Sequence, residues 1–216
     1  MVGSPLYDLF RDPSRFAAFV IAVVVGITLH EFSHAAVATA QGDQTARAQG
    51  RLTLNPVAHL DPLGSIALIL AGFGWGRPVP FTLSRLRSRR FGGAMVGLAG
   101  PVANFLIALA SALILRITNP GGVGLFAPNF SVLLLVELVS LNVILGVFNL
   151  LPIPPLDGSR LLSLVLPPSR QGIVYFLDQY GIFLLLGLLI LAPGLLTPFF
   201  QAIRDGIYGL VGVTFI

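Results

Sequence analysis

The stretch FAAFVIAVVVGITLHEFSHAAVATA, residues 16–40, decides how the rest of the chain is read. A helix crosses the hydrocarbon core of a bilayer with about 20 apolar residues, and this run is long enough. Its only ionisable groups are His30, Glu31 and His34. Three such groups within one turn and a half are costly in lipid and mark a functional site by default. The same segment therefore announces a membrane protein and the place where its chemistry sits.

Composition agrees. Hydrophobic residues make up 55% of the 216-residue chain and charged residues 10%, against about 25% charged in a typical soluble domain. The mean hydropathy is +0.89. All 13 basic residues are arginine, the net charge is +4 and the isoelectric point is near 10.3. These arginines fall in connections between apolar runs, so they read as topology determinants and not as a nucleic-acid surface. No cysteine is present, which excludes disulfides and thiolate ligands and leaves His, Asp and Glu to hold any metal. The first apolar run lacks a clear small-residue cleavage site, so no cleaved signal peptide is expected.

Working outward, further spans are expected over about 91–115, 131–155 and 179–203, with a C-terminal return or interfacial helix over 195–216. Pro62 to Gly76 is apolar but short and glycine-rich, which suits a re-entrant or interfacial piece. The expected fold is an all-α polytopic membrane protein, one membrane-embedded domain over 1–216. It has four or more transmembrane helices and a re-entrant or extended segment around 62–81. The connection from Arg77 to Arg90 carries five arginines and no acid, whereas Thr118 to Phe130 carries no charge. The positive-inside rule places the first in the cytoplasm and the second outside. That puts the N-terminus outside and His30 toward the cytoplasmic end of its span in a multi-pass protein of the cell membrane.

His30-Glu31-Phe32-Ser33-His34 is an HExxH pattern. Residues four apart lie roughly 40° apart on a helical wheel, so both imidazoles reach one ion. Glu31, roughly 100° from His30, can meet a water at that ion without binding the ion itself. A catalytic zinc usually takes three protein ligands and one water. Asp157 is the candidate third ligand, presented by the proline-broken run Asn149-Leu150-Leu151-Pro152-Ile153-Pro154-Pro155-Leu156-Asp157-Gly158. Its rival, Glu137, lies toward the uncharged loop and the outer face. Two crossings after the histidines return Asp157 to their end of the membrane, provided that 62–76 does not cross.

HExxH in the first span, Gly100-Pro101-Val102-Ala103-Asn104 in the second and Asn149 through Gly158 in the third resemble the site-2 protease family, in the compact prokaryotic form without PDZ or CBS modules. The resemblance runs from about His30 to Arg160. It implies one zinc per chain on His30, His34 and Asp157, with Glu31 as the catalytic base. It also implies hydrolysis of peptide bonds in or near transmembrane segments, as in regulated intramembrane proteolysis. The expected partners are the lipid bilayer and a membrane-protein substrate whose transmembrane helix can unwind. Two other classes compete: a membrane metal-ion carrier and a catalytically inactive binding homologue. The absence of an internal repeat speaks against the carrier.

Weaker signals remain open. His59 is either a ligand or proton shuttle, or a loop histidine paired with Asp61 or Asn55, the favoured reading. Asn104 and Asn149 either steady a scissile carbonyl or orient a ligand, or else hydrogen-bond between helices. Gly76-Arg77-Pro78-Val79-Pro80-Phe81 must be largely extended. It is either an edge to which a substrate adds as a strand or a plain surface loop.

Overall fold

A computed structural model describes residues 11–71, 74–123, 129–167, 171–191 and 193–215. Part of the uncharged 118–130 connection and Gly72–Phe73 of the short apolar segment lie outside the described residues. Six helices of ten residues or more carry the fold: α1 (Pro13–Ala40), α2 (Pro62–Ala71), α3 (Arg89–Thr118), α4 (Phe130–Asn149), α5 (Gln171–Leu191) and α6 (Pro193–Val211). The described residues contain isolated β-bridges but no strand.

Among the described residues, α1, α3 from Phe91 onward and α4 are each long and apolar enough to cross a membrane. Local chemistry starts each one. Asp12 caps α1 by accepting from the Arg15 amide at 3.0 Å, with Pro13 in the first turn. Ser88 and Asn129 accept from Phe91 and Val132 in the same way at α3 and α4. A proline at the first turn needs no amide partner, and a side-chain oxygen satisfies one of the orphan donors there.

The three helices pack on one another. The buried face of α1 is mostly small: Ala18, Ala22, Gly26, Ala35 and Ala38. Small residues let backbones approach closely, the usual basis of helix association in lipid. Between α3 and α4 the core is Ala108, Ala112, Leu115, Val139, Val143 and Val147, and α6 adds Tyr208 to it. Met95, Leu106, Leu113, Ile117 and Ile144 are exposed, as a surface solvated by lipid requires.

Prolines set one boundary that apolar length alone misplaces. α4 stops at Asn149, short of the expected 155, because Pro152, Pro154 and Pro155 cannot donate to a continuing helix. The chain then turns tightly to Leu156 and enters a 3-10 turn over Asp157–Leu161. Residue 192, within the expected span 179–203, lies outside the described residues; α5 is described to Leu191 and α6 from Pro193. α5 contributes an apolar stretch over Gly172–Leu188, and α6 packs against α3 and α4. Beyond α6, the Val123 amide donates to the Thr214 carbonyl at 2.7 Å.

α2 has ten residues, or about 15 Å of helix, half of what a crossing needs. After it, Gly76 bridges Leu60, and residues 77–81 form neither helix nor strand.

Candidate metal centre

Three helical elements meet at one point. α1 brings His30 and His34, α3 passes beside them, and the turn after α4 brings Asp157. His30 Nε2 lies 3.0 Å and His34 Nε2 3.2 Å from Asp157 Oδ2. The two Nε2 atoms are 3.0 Å apart. Both histidines are buried, with their rings edge to face.

The other ring nitrogens fix the state of these atoms. His30 Nδ1 faces Asn104 Oδ1 at 2.6 Å, and His34 Nδ1 faces the Val96 carbonyl at 2.6 Å. Both partners are acceptors, so both Nδ1 atoms carry the proton. In a neutral ring each Nε2 then presents a lone pair toward the buried Asp157 Oδ2. With both rings neutral, the short contacts at Oδ2 bring electron pairs face to face. Such an arrangement calls for a cation. Tetrahedral zinc with bonds of ~2.0–2.2 Å spaces its ligand atoms by roughly 3.3–3.6 Å, a few tenths of an ångström more than the distances seen. Two imidazoles and a carboxylate are a catalytic zinc donor set. Among the described residues these three form the group that could hold a metal ion.

Space for the rings comes from Gly100. A Cβ built there would stand 2.5 Å from His30 Cε1 and 2.5 Å from His34 Nε2. Gly158 lets the turn that carries Asp157 pack against the end of α4, since its Cβ would meet the Leu150 carbonyl oxygen at 2.2 Å.

Glu31 stands beside this group. Its Oε2 accepts from the Val79 amide at 3.1 Å. Val79 sits in the segment 76–81, which buried Arg51 ties to the Pro56–Ala58 turn by donating to the carbonyls of Arg77, Pro78 and Ala58. The Arg77 amide donates to the His59 carbonyl at 2.7 Å. Pro78 and Pro80 have no amide hydrogen. Every backbone N–H from Arg77 to Pro80 is therefore already used, so the segment offers an incoming strand no donor there. A cavity of about 320 Å³ opens beside it, lined by Gln49, Gly50, Arg51, Ala58, Arg77, Pro78 and Pro80. None of these is a metal-group residue.

The base of the loop is tied by Asp43. Its carboxylate accepts from the Thr82 amide at 2.5 Å and from the Thr45 amide at 3.0 Å and hydroxyl at 2.5 Å. Burial alone would raise its pKa. The Thr45 hydroxyl, the two amides and nearby Arg85 outweigh that and hold it below the usual carboxylate range.

The remaining expectations divide. Asn104 reaches His30. Asn149 donates to the Leu145 carbonyl of its own helix at 2.9 Å and lies outside the metal group. Glu137 pairs with Arg15 at 3.4 Å, near the opposite end of α1. His59 is fully buried, but its Nε2 lies 2.7 Å from the Thr53 carbonyl and not against Asp61 or Asn55. Those two are occupied as caps, Asn55 on the Val57 amide and Asp61 on the Gly64 amide. Asn142, Arg51, the Val96 carbonyl and the Val79 amide escaped the sequence reading. Only Asn142, an amide inside an apolar run, left a signal that could have been weighed.

A bilayer-length helix that offers two imidazoles, a glutamate between them and a convergent aspartate defines a membrane zinc metalloprotease. The model of Peptidase family M50 matches residues 125–189, which include Asp157. YwhC of Bacillus subtilis (strain 168), named "Putative zinc metalloprotease YwhC", is 40% identical over 216 residues, covering 96% of each chain. Rip2 of Mycolicibacterium smegmatis is 31% identical over 205 residues, 91% of this chain and 76% of its own. Rip2 of Mycobacterium tuberculosis (strain H37Rv) is 33% identical over 216 residues, 94% of this chain and 79% of its own. Both Rip2 proteins carry the same zinc metalloprotease description. No solved structure matches the chain. With that likeness along nearly its whole length, the chain belongs to the M50 family, the site-2 proteases.

Proposed function

We propose that this metalloprotease cuts peptide bonds in or beside transmembrane segments of membrane-protein substrates, as a step of regulated intramembrane proteolysis. The observation that carries the reading is the convergence of His30 Nε2, His34 Nε2 and Asp157 Oδ2 within a bundle of bilayer-length helices, with Glu31 alongside. In this reading His30, His34 and Asp157 hold the zinc and Glu31 is the general base. Zinc at these atoms would polarise the scissile carbonyl and lower the pKa of a bound water to about 7.

The chain's own residues do the rest. Glu31 takes a proton from the attacking water and passes it to the departing amine. The Val79 amide turns one carboxylate oxygen toward the loop and leaves the other to meet the water. Gly100 keeps the space over the two imidazoles clear. A helical substrate hides its carbonyls in its own hydrogen bonds, so it must unwind locally, and helix-weakening residues are expected near the cut.

Residues 1–216 act as one membrane-embedded domain in the cell membrane, N-terminus outside and metal group toward the cytoplasm. The arginines between 77 and 90 support that orientation. Single cysteines placed at Ser88 and Asn119 test it in a chain with no cysteine of its own. Reagent added to the cytoplasmic face should label the first, and external labelling at position 88 would reverse the orientation.

The function itself is tested by trapping. Membrane proteins captured by the Glu31→Gln variant should be cut by wild type, with new termini inside or beside a transmembrane segment. Cuts confined to soluble segments, or metal uptake into vesicles with no cut at all, would defeat the proposal.

A further inference from the structure

The geometry points to Asn142 as a positioning residue for His30, acting through Asn104 to fix which ring nitrogen is free for the metal. It rests on the reading of His30 as a zinc ligand. Asn142 and Asn104 are fully buried and His30 nearly so, and they sit on α4, α3 and α1 respectively. The hydrogen bonds joining them run in one direction.

Asn142 Nδ2 donates to the Leu138 carbonyl, one turn back on its own helix, at 2.8 Å. That leaves Asn142 Oδ1 facing α3, where it accepts from Asn104 Nδ2 at 2.8 Å. Asn104 Nδ2 also donates to the Gly26 carbonyl at 3.3 Å. Both hydrogens of the Asn104 amide are then spent on acceptors, and its Oδ1 is left for His30 Nδ1. An oxygen can only accept here, so a neutral His30 ring keeps its proton on Nδ1 and its lone pair on Nε2.

The reverse orientation of the Asn104 amide shows why Asn142 matters. A flipped amide would put its oxygen against two other oxygens, the Gly26 carbonyl and Asn142 Oδ1. It would also turn an N–H toward His30 Nδ1, draw the ring proton to Nε2 and block the ligand atom. Without Asn142 Oδ1, only the longer contact to Gly26 opposes the flip. His34 runs no such risk, because its Nδ1 is held by the backbone carbonyl of Val96, which cannot invert.

Groups that hydrogen-bond a metal ligand and set its orientation typically change metal affinity by roughly 10–100-fold. The test is zinc affinity of the full chain, measured by chelator competition. Asn142→Leu should weaken zinc by roughly 10–100-fold. Asn142→Asp, protonated in this apolar setting, still accepts from Asn104 and donates to Leu138, and should stay within a few-fold of wild type. Asn104→Leu and the double variant Asn104→Leu/Asn142→Leu should bind zinc equally, because Asn142 acts through Asn104. Additive losses in that cycle, or wild-type affinity in Asn142→Leu, would overturn the proposal. Should Asn142→Leu fail to fold, nitrogen NMR of metal-free wild type at a pH where His30 is neutral decides. Nδ1–H is expected, and Nε2–H would refute it. His30→Ala separates the two readings: full zinc affinity there sinks the ligand assignment, whereas its loss beside an unaffected Asn142→Leu sinks only the relay.

Discussion

The two sides of the catalytic centre are built from different material. The metal side is made of helices in the membrane-spanning bundle. His34 leans on a helix carbonyl, His30 on a buried amide pair, and Asp157 on the turn that ends α4. The base side is made of loop. Glu31 projects from the same helix, but its fixed partner is the Val79 amide, held by Arg51 and by the Asp43 tether. In the proposed reading, helix spacing sets where the metal sits, and loop geometry sets where the proton acceptor points. Binding zinc and handling protons would then be separable properties of this molecule.

The largest effect should come from closing the metal side. Gly100→Ala would drive a methyl group into both imidazoles, so zinc and all peptidase activity should be lost together while the helices still form. Metal analysis and circular dichroism of the purified variant check this. Normal zinc content in that variant would mean that the rings move aside and that the helical side is not rigid.

Next comes the base itself. Glu31→Gln keeps shape and should keep zinc, with cleavage down by roughly 10²–10⁴-fold. Loss of zinc in this variant would show that the two sides are not separable. Arg51→Met, on the loop side alone, removes three carbonyl contacts to a charged donor, each worth about 1.5–3 kcal/mol. It should slow turnover by roughly ten- to a hundredfold, since small misplacements of catalytic groups cost that order, with zinc affinity unchanged. Equal damage to zinc affinity would break the comparison.

The smallest effect is expected at Asp43. Its folded pKa lies below its ordinary value, so folding favours the ionised form. The stability it lends the loop is fully present above its unfolded pKa, near 4, and is lost as pH falls through the folded value. Thermal stability measured against pH should show that acid loss in wild type and a flatter acid limb in Asp43→Asn. An identical acid limb in both would remove Asp43 as a tether.

The helical side was largely legible in the sequence, and the loop side was not. The i, i+4 spacing of His30 and His34 and the cost of ionisable groups in lipid point to the metal from residue types alone. Asp157 follows from counting crossings. The prolines after Asn149 mark a break in α4, but its end lies at Asn149 and not near 155, because apolar length does not locate the last helical residue. Glu31's partner is a backbone amide and His34's a backbone carbonyl. Groups that every residue carries leave no mark in a sequence. His59 was assigned the wrong partner for a related reason: Asn55 and Asp61 were already capping turns, and the Thr53 carbonyl was invisible.

Gly100 has a consequence for reading other chains of this family. The histidines, the glutamate and the aspartate can all be intact in a sequence that nevertheless carries a side chain at this position. With the packing seen here, such a chain would be a decoy: it would fold, enter the membrane and engage the same clients without cutting them. One missing glycine on the neighbouring helix would separate a working protease from a silent competitor, where a search for the HExxH signature would count both as enzymes.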